Sequence, residues 1–383
     1  MSRLEASEPG HGPICRSCGA ILREEVAELG LVPLSPNPVR PGTGGRPIAC
    51  APLRALVCED CRLVQLAGTG GAQHDAPRPA HGFAGILATR LRLGPGTPVA
   101  AFDAAMLEPF RDRDIPARAV PTGTQPALQL REALPPPVLL LAGTVLATAP
   151  DIQDALAGTR ALLAPGGIAV FDLPDLLAWL QGNRFDLLGH ALPSLPSVLV
   201  AEMLLGLHGL VPFEVESLPG PGPWLRLLVG HAEDATKPAA ASLLARRVEE
   251  RAAGLEGPDA YRRAAIAVAE ARLAVLDLLV AARRDGRRVA GYGAGSAAAT
   301  LAAACGIGPG LLGYTVHPEA GESGLELPGS QVPVLPVAAL DQGAPDLLLI
   351  LDGTPPVAVR EVLTQHSTWQ GRLAVPLPSL RIS

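Results

Sequence analysis

Four of the six cysteines stand in two C-x-x-C pairs, Cys15 and Cys18 in "CRSC" and Cys58 and Cys61 in "CEDC". Each pair presents two sulfurs from one short turn, and two such turns supply the four thiolates of a closed, tetrahedral zinc site. Redox dithiols are the competing chemistry, but a redox motif is normally single and attached to a βαβ pattern. With every position taken by sulfur, such a site is structural. Metal binding contributes folding free energy of order 10 kcal/mol, which holds a small module together despite a weak core. Cys50 and Cys305 have no partner at metal-binding spacing and read as ordinary free thiols.

The chain around these cysteines has 383 residues, 48% of them apolar, enough for two or three cores. Its 42 glycines and 40 prolines imply abundant, stiffened loops. A formal charge of -6 gives no general attraction to nucleic acid or to an anionic membrane, and no basic arm with interleaved aromatics is present. Neither partner class is expected. The start "MSRLEASEPGHGP" lacks the apolar core of a signal peptide, and no apolar run reaches the roughly 20 residues that span a bilayer. The expectation is a cytoplasmic protein.

Strand and helix signals alternate through the rest. "PVAAF" (98–102) reads as a buried strand with Asp103 at its end, and residues 67–97 as a linker with a short helix near Phe83 to Leu93. "PVLLLAG" (137–143) is a buried strand, "DIQDALAGTRALL" an amphipathic helix with Asp151 as N-cap, and "APGGIAVFDLP" a turn and another buried strand. Strand-helix-strand order implies a parallel sheet. A long helical stretch, roughly Lys237 to Asp285, is followed by a second unit: "RRVAGYGAGSAAATLAAACGI" is strand, Gly-rich turn and helix, and "APDLLLILDG" a buried strand. The fold class is α/β, with a zinc-binding module at 1–66, a central Rossmann-like domain at 67–235, a bridging helical segment at 236–285 and a C-terminal Rossmann-like domain at 286–383.

Taken in order, "CRSCG", "VCEDCRLVQL", "GTVLATAPDIQDALAG", "LLAPGGIAVFDLPDLL", "NRFDLLGHALPSL", "VAGYGAGSAAATLAAACGI" and "LPGSQVPVLP" resemble the zinc-containing, S-adenosylmethionine-dependent C-methyltransferases that branch deoxysugars in antibiotic pathways. The resemblance covers nearly the whole chain. It implies zinc on Cys15, Cys18, Cys58 and Cys61, a cofactor pocket at Asp103, Gly143, Thr144 and Ala147, and His190 as catalytic base. It also implies a small-molecule ligand, a sugar nucleotide or another pathway metabolite.

Departures from the family pattern redirect that expectation. After the first central strand the family carries an acidic residue and a Gly-containing turn, where this chain has "FDAAMLEPF". A Cβ blocks close approach of backbone to ligand, so Ala104, Ala105 and Met106 are expected to obstruct the cofactor. Thr144 and Thr148 replace an Asn and a His, and the catalytic stretch Tyr-His-Glu-His reads Gly189, His190, Ala191, Leu192. Carbon methylation needs an oriented base beside a carbonyl, and a lone histidine lacks its orienting partners. In the C-terminal unit Gly291, Gly293 and Gly295 remain, the family's lysine is missing, and His317 stands where the family has Asp. The resulting expectation is a family member that binds S-adenosylmethionine weakly or not at all, transfers methyl groups weakly or not at all, and serves as a partner or binding protein in a biosynthetic cluster. The alternatives are a working C-methyltransferase with a non-standard cofactor loop, and an interaction protein that works through its zinc module alone.

Overall fold

The computed structural model describes residues 12–35, 37–40, 48–68, 83–133, 135–218, 222–321 and 324–383. Residues 69–82 of the expected linker lie outside them. Three sheets organise the chain. The first begins with β1 (Glu24–Pro33), β2 (Cys50–Val57) and β3 (Val64–Leu66), paired antiparallel. Helix α1 (Phe83–Arg90) follows.

The central sheet is built from β4 (Val99–Ala101), a 3-10 turn at Ala104–Leu107, α2 (Glu108–Arg111), β5 (Ala117–Ala119), α3 (Thr124–Ala133), β6 (Leu139–Gly143), α4 (Val145–Thr148), α5 (Ile152–Leu162) and β7 (Ile168–Pro174). Strand β6 reads as an unbroken apolar run, and β7 as one interrupted only by Asp172, because a parallel sheet is covered on both faces. Asp151 caps α5 as expected, its carboxylate accepting from the Asp154 N–H at 3.0 Å. After α6 (Leu176–Gln181), the two-residue β8 (Ser194–Leu195) pairs with β3 and becomes the fourth strand of the first sheet. The zinc module therefore shares its sheet with the segment that carries His190. Helix α7 (Val198–Gly206), β9 (Leu210–Leu218) and β10 (Trp224–His231) complete the central sheet in the order β5-β4-β6-β7-β10-β9. Strands β4 to β7 run parallel and the last two antiparallel. The chain leaves β4 for β5 on one side and returns to β6 on the other, so the topological switch point, where open α/β sheets bind ligands, lies between β4 and β6.

The long helix expected from Lys237 to Asp285 is two helices, α8 (Ala241–Ala252) and α9 (Asp259–Arg284). "GLEGP" (254–258) separates them: Gly254 turns with φ +82° and Pro258 cannot continue the hydrogen-bond ladder. Buried Glu250 of α8 accepts from the Val198 and Leu199 N–H groups at 3.0 and 2.9 Å, tying α8 to the start of α7.

The third sheet uses β11 (Val289–Tyr292), α10 (Ser296–Ala304), β12 (Thr315–Val316), β13 (Leu325–Glu326), β14 (Pro333–Leu335), α11 (Ala339–Gly343), β15 (Leu347–Ile350), α12 (Pro356–His366), β16 (Arg372–Val375) and β17 (Arg381–Ile382). Its order is β13-β14-β12-β11-β15-β16-β17 with a parallel centre, and its switch point lies between β11 and β15. One apolar cluster joins all three sheets. It includes Val26 and Val57, Trp179 and Leu195, and Leu301 and Leu349. Among the described residues no helix is long and apolar enough to cross a membrane.

Candidate functional site

The two C-x-x-C segments fold into matching turns. Cys15 and Cys58 each accept from the N–H four residues on, from Gly19 and Arg62 at 2.9 Å, and both of those residues take left-handed backbone, φ +76° and +61°. The turns place all four sulfurs within 4.8 Å of one another, with Cys15 to Cys61 at 3.6 Å and Cys18 to Cys58 at 3.5 Å. A tetrahedral ion with Zn–S bonds near 2.3 Å needs sulfurs about 3.8 Å apart, so the set fits zinc. Supporting donors are in place: fully buried Gln65 gives its amide N–H to Cys15 Sγ at 3.1 Å and is itself oriented by the Arg16 N–H on its Oε1 at 2.8 Å. The neighbouring Cys61 thiol, with N–H donors from Cys18, Gln65 and Ser17, brings Cys15 down to about 4 against the effect of burial. Burial raises Cys18 to about 11, and the Cys15 sulfur pushes Cys61 up. One thiolate thus stands ready while Cys18 and Cys61 hold protons. Exposed Cys50 and buried Cys305 lie apart from the set.

At the central switch point the structure brings together Asp103, Gly143 and Thr144, which the sequence places 40 residues apart. Asp103 is occupied locally: its carboxylate accepts from the Ala105 N–H at 3.0 Å and caps the 3-10 turn. Ala104 and Ala105 point to solvent, whereas Met106 is buried, 7% exposed. Its sulfur would stand 3.0 Å from a Cβ on Gly143, whose backbone is left-handed at φ +56°. Met106 therefore packs on the end of β6. The strand ends stay laddered, with the Phe102 N–H on Leu141 O at 3.1 Å and the Val120 N–H on Ala101 O at 2.9 Å. Thr148 turns its hydroxyl back to Thr144 O at 3.0 Å, and Ala147 is fully buried with Leu188 and Leu192. His190 sits on the turn between those two leucines and is itself buried. That turn leads into β8, which packs on α4. On the adjacent strands β7 and β10 a fully buried ion pair, Asp172 with Arg226, closes with bonds of 2.8 and 2.9 Å.

A second crevice, of about 400 Å³, opens at the switch point of the third sheet. Arg184 and the Trp179 and Trp224 rings wall it from the central unit; Ser296, His317 and Asp352 face them. The Gly-rich turn makes this possible, since a Cβ on Gly293 would stand 2.7 Å from the Asp352 carboxylate. Gly295 caps α10 without a side-chain hydrogen bond to the first N–H groups of that helix. Arg184 binds Asp186 through two bonds of 2.8 Å; Asp186 is fully enclosed, and burial raises its carboxyl despite the guanidinium. His317 Nδ1 accepts from the Glu319 N–H at 3.2 Å. Sequence reasoning singled out Gly293, Gly295 and His317 but passed over Arg184 and Asp352. The "LDGTPP" turn directly after a buried parallel strand was the available signal for Asp352.

Residues 15–73 match the family described as "Putative zinc binding domain", and residues 221–378 match "C-methyltransferase C-terminal domain". The chain is 30% identical over 235 residues to C-methyltransferase NovU of Streptomyces niveus, covering 61% of this chain and 55% of that protein. It thus spans about half the length of this curated relative. Among solved structures, the 1,6-didemethyltoxoflavin-N1-methyltransferase of Burkholderia thailandensis overlaps 39% of this chain and 76% of its own at 17% identity, with a TM-score of 0.28. The CcbJ methyltransferase of Streptomyces caelestis overlaps 41% and 97% at 13% identity, with a TM-score of 0.29. Overlaps this slight carry no argument. The two matches together define the class: the chain carries a zinc-binding domain and a C-terminal domain of the kind found in C-methyltransferases.

Proposed function

We propose that this chain keeps the C-methyltransferase scaffold, has weak or no methyl transfer, and serves biosynthesis as a binding protein for a small polar metabolite. Met106 carries the reading. A buried side chain on Gly143 leaves little room for the amino-acid end of S-adenosylmethionine, and Asp103 is already committed to the Ala105 N–H. Each hydrogen bond forgone costs about 1–3 kcal/mol, so losing a few moves a micromolar site to the millimolar range. The crevice at Arg184 and Asp352 has the volume and the mixed aromatic and polar walls of a metabolite site. A sugar nucleotide suits it, with the α10 N-terminus toward its phosphates. Calorimetric titration tests the reading: near-millimolar S-adenosylmethionine should give no saturable heat and no rise in melting temperature. A micromolar dissociation constant overturns it.

The burial of His190 on the turn that leads into β8, the strand packed on α4, favours a second reading, an active C-methyltransferase in which this histidine takes a proton next to a substrate carbonyl. Under it, the His190→Ala protein binds cofactor but transfers no methyl group.

A further inference from the structure

Helix α9 carries two apolar stripes. Tyr261, Ala264, Val268, Ala271, Val275 and Leu279 form the buried one, which faces the core. The second lies on the far side. Ile266, Leu273 and Val280 recur every seven residues, with Ala269 and Leu276 between them, the spacing of a coiled-coil seam. Ile266 is 59% exposed and Leu273 61%. A single exposed leucine needs no explanation, but a seam sustained over four turns of the longest helix does.

We propose that this face binds a second copy of the same chain, α9 against α9, antiparallel. The flanking charges select the occupant and the register. Arg263, Glu270, Asp277 and Arg284 follow one another at seven-residue steps along one edge of the seam, and all are exposed. An antiparallel copy that sets Leu273 opposite Leu276 brings Arg263 onto Arg284 and Glu270 onto Asp277, like on like. Sliding by one heptad sets Ile266 opposite Leu276 and Ala269 opposite Leu273, each twice about the two-fold axis. Arg263 then meets Asp277 at both ends, and only Glu270 faces its own copy. A two-fold interface of this kind is self-complementary, as a homodimer requires.

Sedimentation velocity of the full zinc-loaded chain, from about 1 to 200 μM, tests this. The expected result is a concentration-dependent dimer. Leu273→Glu should weaken it at least about tenfold while leaving circular dichroism and zinc content unchanged. Glu270→Gln should tighten it by removing the repulsion on the axis. Arg263→Glu alone should weaken it, and Arg263→Glu with Asp277→Arg should restore it. A monomer throughout, as expected if a different protein or residues 69–82 of the same chain cover the seam, overturns the proposal. So does a dimer indifferent to Leu273→Glu and to the charge reversals.

Discussion

Met106 is the side chain on which the cofactor question turns. Replacing it with Ala should lower stability by about 2–4 kcal/mol, the usual cost of emptying a buried site, and should at the same time improve S-adenosylmethionine binding. Denaturant unfolding and calorimetry on the one variant separate the two effects; lost stability without any gain in affinity means that Met106 is core and not a plug. Gly143→Ala asks the complementary question. A Cβ there meets the Met106 sulfur and forces a non-glycine residue to φ +56°, so a loss of about 1–2 kcal/mol is expected. The zinc site makes its own statement through protons. Cys15, held down to about 4, is already ionised at neutral pH in the metal-free protein. Zinc titration at pH 7 in weak buffer should therefore release fewer than four protons per ion; release of four means Cys15 is a thiol. The cysteine set was legible in the sequence because each pair is local and its spacing is chemical. The obstruction at the cofactor turn was legible only in outline. Sequence alone put Ala104, Ala105 and Met106 in the way, but the cap made by Asp103 turns both alanines outward and only Met106 inward.

Among the elements, β7 and β10 are joined by a feature that a sequence pattern does not announce. Arg226 is 1% exposed and Asp172 2%, directly paired across the two strands. Each reads in sequence as one polar residue in an apolar run. Their meaning appears only when antiparallel register sets them side by side. Removing one partner leaves a buried charge, so Arg226→Met and Asp172→Leu should each cost about 3–5 kcal/mol. Arg226→Met combined with Asp172→Leu should recover most of that loss, because the pair's desolvation penalty disappears along with its attraction. Urea midpoints of the two single variants and the double variant form the cycle that checks it, and simple additivity contradicts it. The same limit explains the other elements that sequence reading missed. Long apolar runs such as β6 and β15 declare themselves. The two-residue β8 carries no period at all and exists because β3 offers an open edge beside it. The split between α8 and α9 was visible as Gly254, Gly257 and Pro258, but apolar periodicity on both sides hid it.

At the scale of the whole molecule, three sheets share one core, and this decides what the zinc does. Val26 and Val57 of the module pack in the same cluster as Trp179 and Leu195 of the central unit and Leu301 of the C-terminal one. Polar ties reinforce the contact: the Arg62 Nε–H reaches Glu256 O at 2.9 Å, and the Arg272 Nε–H reaches Ala304 O at 2.7 Å while its Nη1–H binds Glu28 O. The module is thus part of a continuous interior, and its folding energy is felt beyond residues 1–66. Zinc removal should lower the melting temperature of the entire chain by about 10 °C, given order 10 kcal/mol from the metal and the unfolding entropy of a chain this long. Trp179, buried against the module, reports the event independently of the cysteines. Its emission should shift to the red at the same chelator concentration at which a colorimetric zinc probe shows release. Cys58→Ala with Cys61→Ala should reproduce both changes without chelator, whereas Cys50→Ser should produce neither. If zinc leaves while tryptophan emission and melting temperature hold, the module is an appendage, and its metal stabilises only its own turns.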